Sequence, residues 1–128
     1  MEISKRDPAL GHFASGYLAY RDKQYGPARI DLREAVKNAS TPAHKAEARR
    51  WLGWLSQETQ QWTTAFEQFE ALGDDYEIGR TSAFCACELE RGKVALERYI
   101  ATKPTKVKQA RDFLKKINAA SASRLHAP

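Results

Sequence analysis

Apolar and polar positions along the chain recur at the three- and four-residue intervals of helices, and nowhere do they alternate for long enough to make a strand. Val107, Ala110, Leu114 and Ile117 are the clearest case, at steps of three, four and three, with Lys106, Lys108, Lys115 and Lys116 on the rest of the turn. The breaks between such stretches set the elements. Asp7-Pro8 reads as an N-cap followed by proline at the first helical position, and opens a first helix that runs to about Lys23. A second begins near Gly26-Pro27 and ends near Asn38. Thr41-Pro42 repeats the cap and proline and opens a third, to about Thr59. A fourth covers roughly Trp62 to Leu72 and is stopped by Gly73, the residue suited to a left-handed C-cap. Asp74 and Asp75 suit the positive end of a fifth helix, which is expected to reach Glu90. Gly92 separates it from a short sixth helix ending near Ala101. Pro104 then precedes a seventh, from about Thr105 to Asn118. The tail 119–128 carries no stop signal and is expected to fray.

Helices joined by such short links pack as successive antiparallel neighbours, so the expected fold class is all-α. The pairs also repeat. The stretch from Gly16 to Ala28 aligns with that from Gly53 to Ala65: each opens on glycine, carries an aromatic at its tenth place (Tyr25, Trp62) and closes on alanine. A third copy from Ala83 to Ala95 keeps the offset with a small residue at both ends. Four residues after each closing alanine stands a large apolar residue, Leu32, Phe69 or Tyr99. Small residues in the first helix let the two helices of a hairpin approach, and the alanines offer a matching flat surface on the second.

This pattern, over about residues 8 to 104, resembles the tetratricopeptide repeat (TPR) family. The resemblance implies a right-handed solenoid of about three antiparallel hairpins, near 8–38, 42–72 and 74–101, with 105–118 as a capping helix of polar outer face. Two features depart from the family pattern. The copies are spaced by 37 and then 30 residues, where the family repeats every ~34, and Gly92 stands where the other copies have an aromatic.

The resemblance also implies a function: a protein-interaction module, of adaptor or chaperone type, that holds a peptide or helix on a concave face lined by the first helix of each pair. Its ligand-facing positions fall on Phe13, Tyr17, Tyr20 and Arg21 in the first copy. In the second they fall on Arg50, Trp54, Gln57 and Glu58, and in the third on Arg80, Phe84, Cys87 and Glu88. Tyr17, Trp54 and Phe84 put an aromatic directly after the small residue in every copy. Aromatics and arginines dominate binding hot spots, which favours an apolar anchor with acidic character as the partner. The same rings read equally well as core, and Trp51 is expected there. Gripping a chaperone's C-terminal carboxylate, as some members of the family do, is not expected: Asn38 and Asn118 lie outside the first-helix positions and Phe13 holds the usual lysine place. A structural segment of a longer repeat protein, such as a bacterial envelope or polysaccharide-export assembly, is the alternative reading, and association of the chain with itself goes with it.

Charge adds a second candidate surface. From Lys103 onward the chain has seven basic residues against Asp112 alone, whereas the part before it has fourteen basic and fifteen acidic residues. Lys103, Lys106, Lys108, Arg111, Lys115 and Lys116 form a basic patch that a nucleic acid or an acidic protein would fit. The lysines surround most of the helix and no aromatics interleave with them, which argues against nucleic acid and for a solvated cap. Cys85 and Cys87, two apart on one expected helix, point in different directions and are expected to be small buried thiols rather than a bridge or a metal site. No phosphate loop and no Ser-His or Cys-His constellation appears, so neither catalysis nor a cofactor is expected. No apolar run approaches the ~20 residues of a membrane span, and the start has no apolar stretch after its charges. Both features point to the cytoplasm, or to the periplasm if the chain is cut from an envelope protein.

Overall fold

The computed structural model describes residues 8–102 and 105–125. Among them are seven α-helices and no strand: α1 (Pro8–Arg21), α2 (Tyr25–Asn38), α3 (Pro42–Glu58), α4 (Trp62–Leu72), α5 (Asp75–Cys85), α6 (Leu89–Ala101) and α7 (Val107–Leu125). The protein is all-α. The chain divides into two compact units, Met1–Gln68 and Phe69–Pro128, and the division falls within α4. The cap expected at Asp7 and the break expected at Pro104 lie outside the described residues.

In the first unit α1 packs on α2, α2 on α3, and α1 also meets α3. Ala28, Leu32, Leu52 and Leu55 are its buried centre, with Phe13, Ala19, Tyr20, Tyr25, Val36 and Trp51 packed around them. Close approach of α1 and α2 depends on Gly16: a Cβ there would stand 2.8 Å from Leu32 Cγ. His12 Nδ1 meets Asp31 Oδ1 at 2.9 Å across the same pair of helices. Thr41 caps α3 as the sequence predicts, its Oγ1 accepting from the His44 amide at 3.1 Å, with Pro42 following at the first helical position.

The turns closing α1 and α3 are the same structure. Gln24 N–H donates to Ala19 O and Lys23 N–H to Tyr20 O; thirty-seven residues on, Gln61 donates to Ser56 O and Gln60 to Gln57 O. Each is a Schellman motif whose left-handed place holds an ordinary residue, Lys23 (φ 61°) or Gln60 (φ 61°), rather than glycine. An L side chain there costs ~1–2 kcal/mol, and glycine gives back ~0.5–1 kcal/mol of chain entropy. Gln60→Gly should therefore stabilise the protein by about 0.5 kcal/mol, and Gln60→Val, with its branched Cβ, should destabilise it. Urea midpoints followed by tryptophan fluorescence test the pair; equal midpoints would mean that the turn is not held left-handed.

In the second unit α5 packs on α6, α6 on α7, and α5 on α7. Leu96, Ala110 and Ile117 are buried at its centre, with Tyr76, Ala83, Leu89, Tyr99, Ile100, Phe113 and Leu114 around them. Ala110, Leu114 and Ile117 of the stripe expected on the last helix thus face the core, while Lys106, Lys108, Arg111, Lys115 and Lys116 are all exposed. That helix does not stop near Asn118 but continues to Leu125.

Four further expectations do not hold. Helix α5 ends at Cys85, not near Glu90, because Ala86 turns left-handed (φ 51°, ψ 39°) and sends its N–H back to Ser82 O. Glu88 is left-handed as well (φ 50°), and α6 begins at Leu89. Gly92 is consequently inside a helix and buried, where a Cβ would stand 2.3 Å from Ser82 Cβ and 2.9 Å from Ile117 Cδ1. The packing of the third pair follows a different register from the aligned one. Gly79, not Ala83, is the small residue against the second helix, its Cβ position 2.1 Å from Leu96 Cγ. Leu96, fully buried like Leu32 and Phe69, therefore takes the place given to Tyr99. Finally, Cys85 and Cys87 are joined by a disulfide, Cα–Cα 5.1 Å. The expectation of separate thiols assumed that both lay on one helix; the left-handed Ala86 between them removes that assumption.

Candidate functional site

In the first unit Tyr17, Tyr20 and Trp54 of the sequence-predicted aromatics meet, with Trp51 and Tyr25, in one array of edge-to-face rings. Trp51 is its hub, with ring centres 5.0 Å from Tyr17, 5.7 Å from Tyr20 and 5.0 Å from Trp54. Tyr20 extends it to Tyr25 at 6.1 Å. Helical spacing explains the arrangement: Tyr17 and Tyr20 share a face of α1, and Trp51 and Trp54 share a face of α3. Glu47, one turn earlier, accepts Trp51 Nε1–H at 3.1 Å through Oε1 and holds Arg50 through Oε2. No candidate site from the sequence included Glu47; its place four before Trp51 and three before Arg50 is the signal that would have found it.

The array's members and the nearby Phe13 differ in access. Tyr17 is 37% exposed and its neighbour Leu18 46%, whereas Phe13 and Tyr20 lie packed against the core. Phe13 lines a small apolar pocket of about 80 Å³ with Ala9, Leu10, Ala35 and Ala39, and with His44 and Glu47 as its polar rim. Arg21 is exposed at the end of α1, 3.9 Å from Asp22 Oδ1. Gln57 is buried and Glu58 exposed.

In the second unit Tyr76, Arg80 and Phe84 stand at steps of four on one face of α5. Arg80 is centred 5.0 Å from the Phe84 ring and donates to both oxygens of the buried Glu77 carboxylate at 3.2 and 3.3 Å. Phe84 is 45% exposed and meets Phe113 of α7 edge-on at 5.8 Å. Phe113 in turn meets Tyr76 at 5.8 Å, and Lys106 Nζ stands 4.7 Å over the Tyr76 ring. Tyr99 meets Tyr76 at 5.2 Å, so four rings run from Phe84 through Phe113 and Tyr76 to Tyr99, with Arg80 on Phe84 and Lys106 on Tyr76. Burial pushes the Tyr76 phenol above its ordinary value, and the positive charge of Arg80 opposes that shift. Phe113 was absent from the sequence-predicted candidates because it flanks the Ala110–Leu114–Ile117 stripe rather than belonging to it.

Cys87 and Glu88 occupy the turn after α5 rather than the Arg80–Phe84 face. Of the basic patch, Lys106 is engaged with Tyr76, the other described members are exposed, and Lys103 lies outside the described residues. Among the described residues no cluster of three or more metal-ligating side chains occurs, and no helix is long and apolar enough to cross a membrane. Neither protein-family models, nor curated proteins, nor solved structures yield a match to this chain.

Proposed function

We propose that this chain is a protein-interaction module built on TPR-like hairpins, holding a peptide or partner helix on the exposed aromatic positions of its first helices. The observation that carries the reading is the state of Phe84: a large apolar ring, 45% exposed, fixed by Phe113 at its edge and by Arg80 at its face. A ring held in place loses little conformational freedom on binding, and Arg80, itself fixed by Glu77, keeps the face of this ring in position. Tyr17 and Leu18 are the exposed apolar residues of α1, and Trp51 meets the Tyr17 ring at 5.0 Å. On this reading the function is recognition rather than catalysis, and it uses no cofactor.

The test is capture from a lysate of the cells that carry this chain, comparing the wild type with Phe84→Ser and with Tyr17→Ser/Leu18→Ser. Circular dichroism confirms that each variant is folded. Loss of a hot-spot aromatic should weaken a bound partner by about 2 kcal/mol, roughly thirtyfold in Kd. A partner that all three proteins retain equally would show that these positions are not the binding surface.

A further inference from the structure

The Cys85–Cys87 disulfide closes a ring over a single intervening residue, at the turn between α5 and α6. A bond spanning so short a loop removes little entropy from the unfolded chain, so it is a poor global staple. What it does constrain is local. Ala86 and Glu88, both left-handed without being glycine, flank Cys87, and such residues persist only where their surroundings hold them. The remaining restraints converge on Ser82, which is fully buried: its one hydroxyl proton is shared between Cys87 O at 2.8 Å and Glu88 O at 3.2 Å, and its carbonyl accepts from the Ala86 and Cys87 amides. Arg124, near the end of α7, donates to Ala86 O, so the same turn also anchors that helix. Both cysteines are half-buried rather than enclosed, and their neighbours Phe84, Ala86 and Glu88 are exposed.

We propose that Cys85–Cys87 is a site of reversible thiol–disulfide exchange with low-molecular-weight thiols, and that its reduction releases the α5–α6 turn and the Arg124 anchor on α7. An external thiolate attacks one sulfur, a mixed disulfide forms, and the other cysteine leaves as a thiolate. A second external thiolate then attacks the sulfur of the small thiol in the mixed disulfide and frees the second cysteine. Two electrons pass to the protein, which takes up two protons as its pair becomes two thiols, while two external thiols become one disulfide. In the reduced form nothing covalent holds Ala86 left-handed, and the amides of Cys87 and Gly92, bonded to Ser82 O and Glu88 O, lose their fixed partners. The proposal stands apart from the recognition reading, since it requires no partner protein.

The experiment uses the full chain in buffers of reduced or oxidised glutathione, with alkylation and mass spectrometry to count thiols and hydrogen exchange to read the turn. Reduced glutathione should open the pair with helicity unchanged. The Cys87 and Gly92 amides should then exchange about tenfold faster, the factor set by the closure entropy of so small a ring, and oxidised glutathione should restore the slow rate. Cys85→Ser/Cys87→Ser should exchange fast in both buffers. Ala86→Gly, which makes the left-handed turn easy for the reduced chain, should shrink the difference between buffers. A bond that survives the reduced buffer, a reduced protein with unchanged exchange, or a wholesale loss of helicity on reduction would each overturn the proposal.

Discussion

Gly79→Ala is expected to destabilise the protein by about 1–3 kcal/mol, although alanine is the better helix former. The added Cβ would stand 2.1, 2.3 and 2.8 Å from Cγ, Cδ2 and Cδ1 of Leu96, which is fully buried and has no space to retreat into. The helix-propensity gain of ~1 kcal/mol is smaller than the cost of forcing a packed leucine off its rotamer or separating two helices. Gly79→Val should cost more still. Gly26→Ala is the control, because a Cβ there meets nothing within 4 Å, and it should be neutral or slightly stabilising. Leu96→Ala alone should cost about 2–5 kcal/mol through the cavity it leaves. In the Gly79→Ala background it should cost less, since the new methyl enters part of that cavity, giving a coupling of about 0.5–3 kcal/mol. Urea unfolding followed by circular dichroism reads all five variants. Strict additivity with a wild-type midpoint for Gly79→Ala would mean that α5 and α6 are not in contact at this position.

That pair of residues also shows what could be read from the sequence and what could not. The helices and most of their ends follow from proline, glycine and the caps, because those residues act on the backbone locally and announce themselves. Thr41-Pro42 and Gly73 are stops and starts of this kind, and both appear in the structure where expected. The third pair was misregistered because its turn is made by Ala86 and Glu88, residues with no preference for left-handed backbone. What holds them there, a disulfide and the Ser82 hydroxyl, is tertiary information. Without that turn, helix α5 reads as running on to Glu90, Gly92 reads as a break, and Ala83 appears to be the packing residue in place of Gly79. The candidate surfaces were legible to a similar degree. Arg80 and Phe84 lie four apart on one helix and do come together, but Phe113, which fixes Phe84, arrives from α7, and no local pattern joins the two.

Trp51→Ala should destabilise the first unit by about 3–5 kcal/mol, whereas Tyr17→Ala should cost about 1 kcal/mol. The two rings touch at 5.0 Å, so the difference lies in what each supports. Trp51 has edge contacts with three other rings, packs against the Ala28–Leu32–Leu52–Leu55 centre, and donates its indole N–H to Glu47. Its removal leaves a cavity under Tyr17, Tyr20 and Trp54 together, and leaves Glu47 with Arg50 but no indole partner. Tyr17 is 37% exposed and has Trp51 as its ring neighbour. Trp51→Phe separates packing from hydrogen bonding: it keeps most of the ring and loses the N–H, and should fall between the other two. Thermal unfolding by circular dichroism is the appropriate reading, since two of the variants remove a tryptophan fluorophore. A Trp51→Ala cost no larger than that of Tyr17→Ala would place the whole array at the surface and make Trp51 itself a partner contact. The expected ordering instead makes Trp51 the fixed base on which Tyr17 is presented, so that Tyr17 is the position to alter when recognition is to be lost and the fold kept.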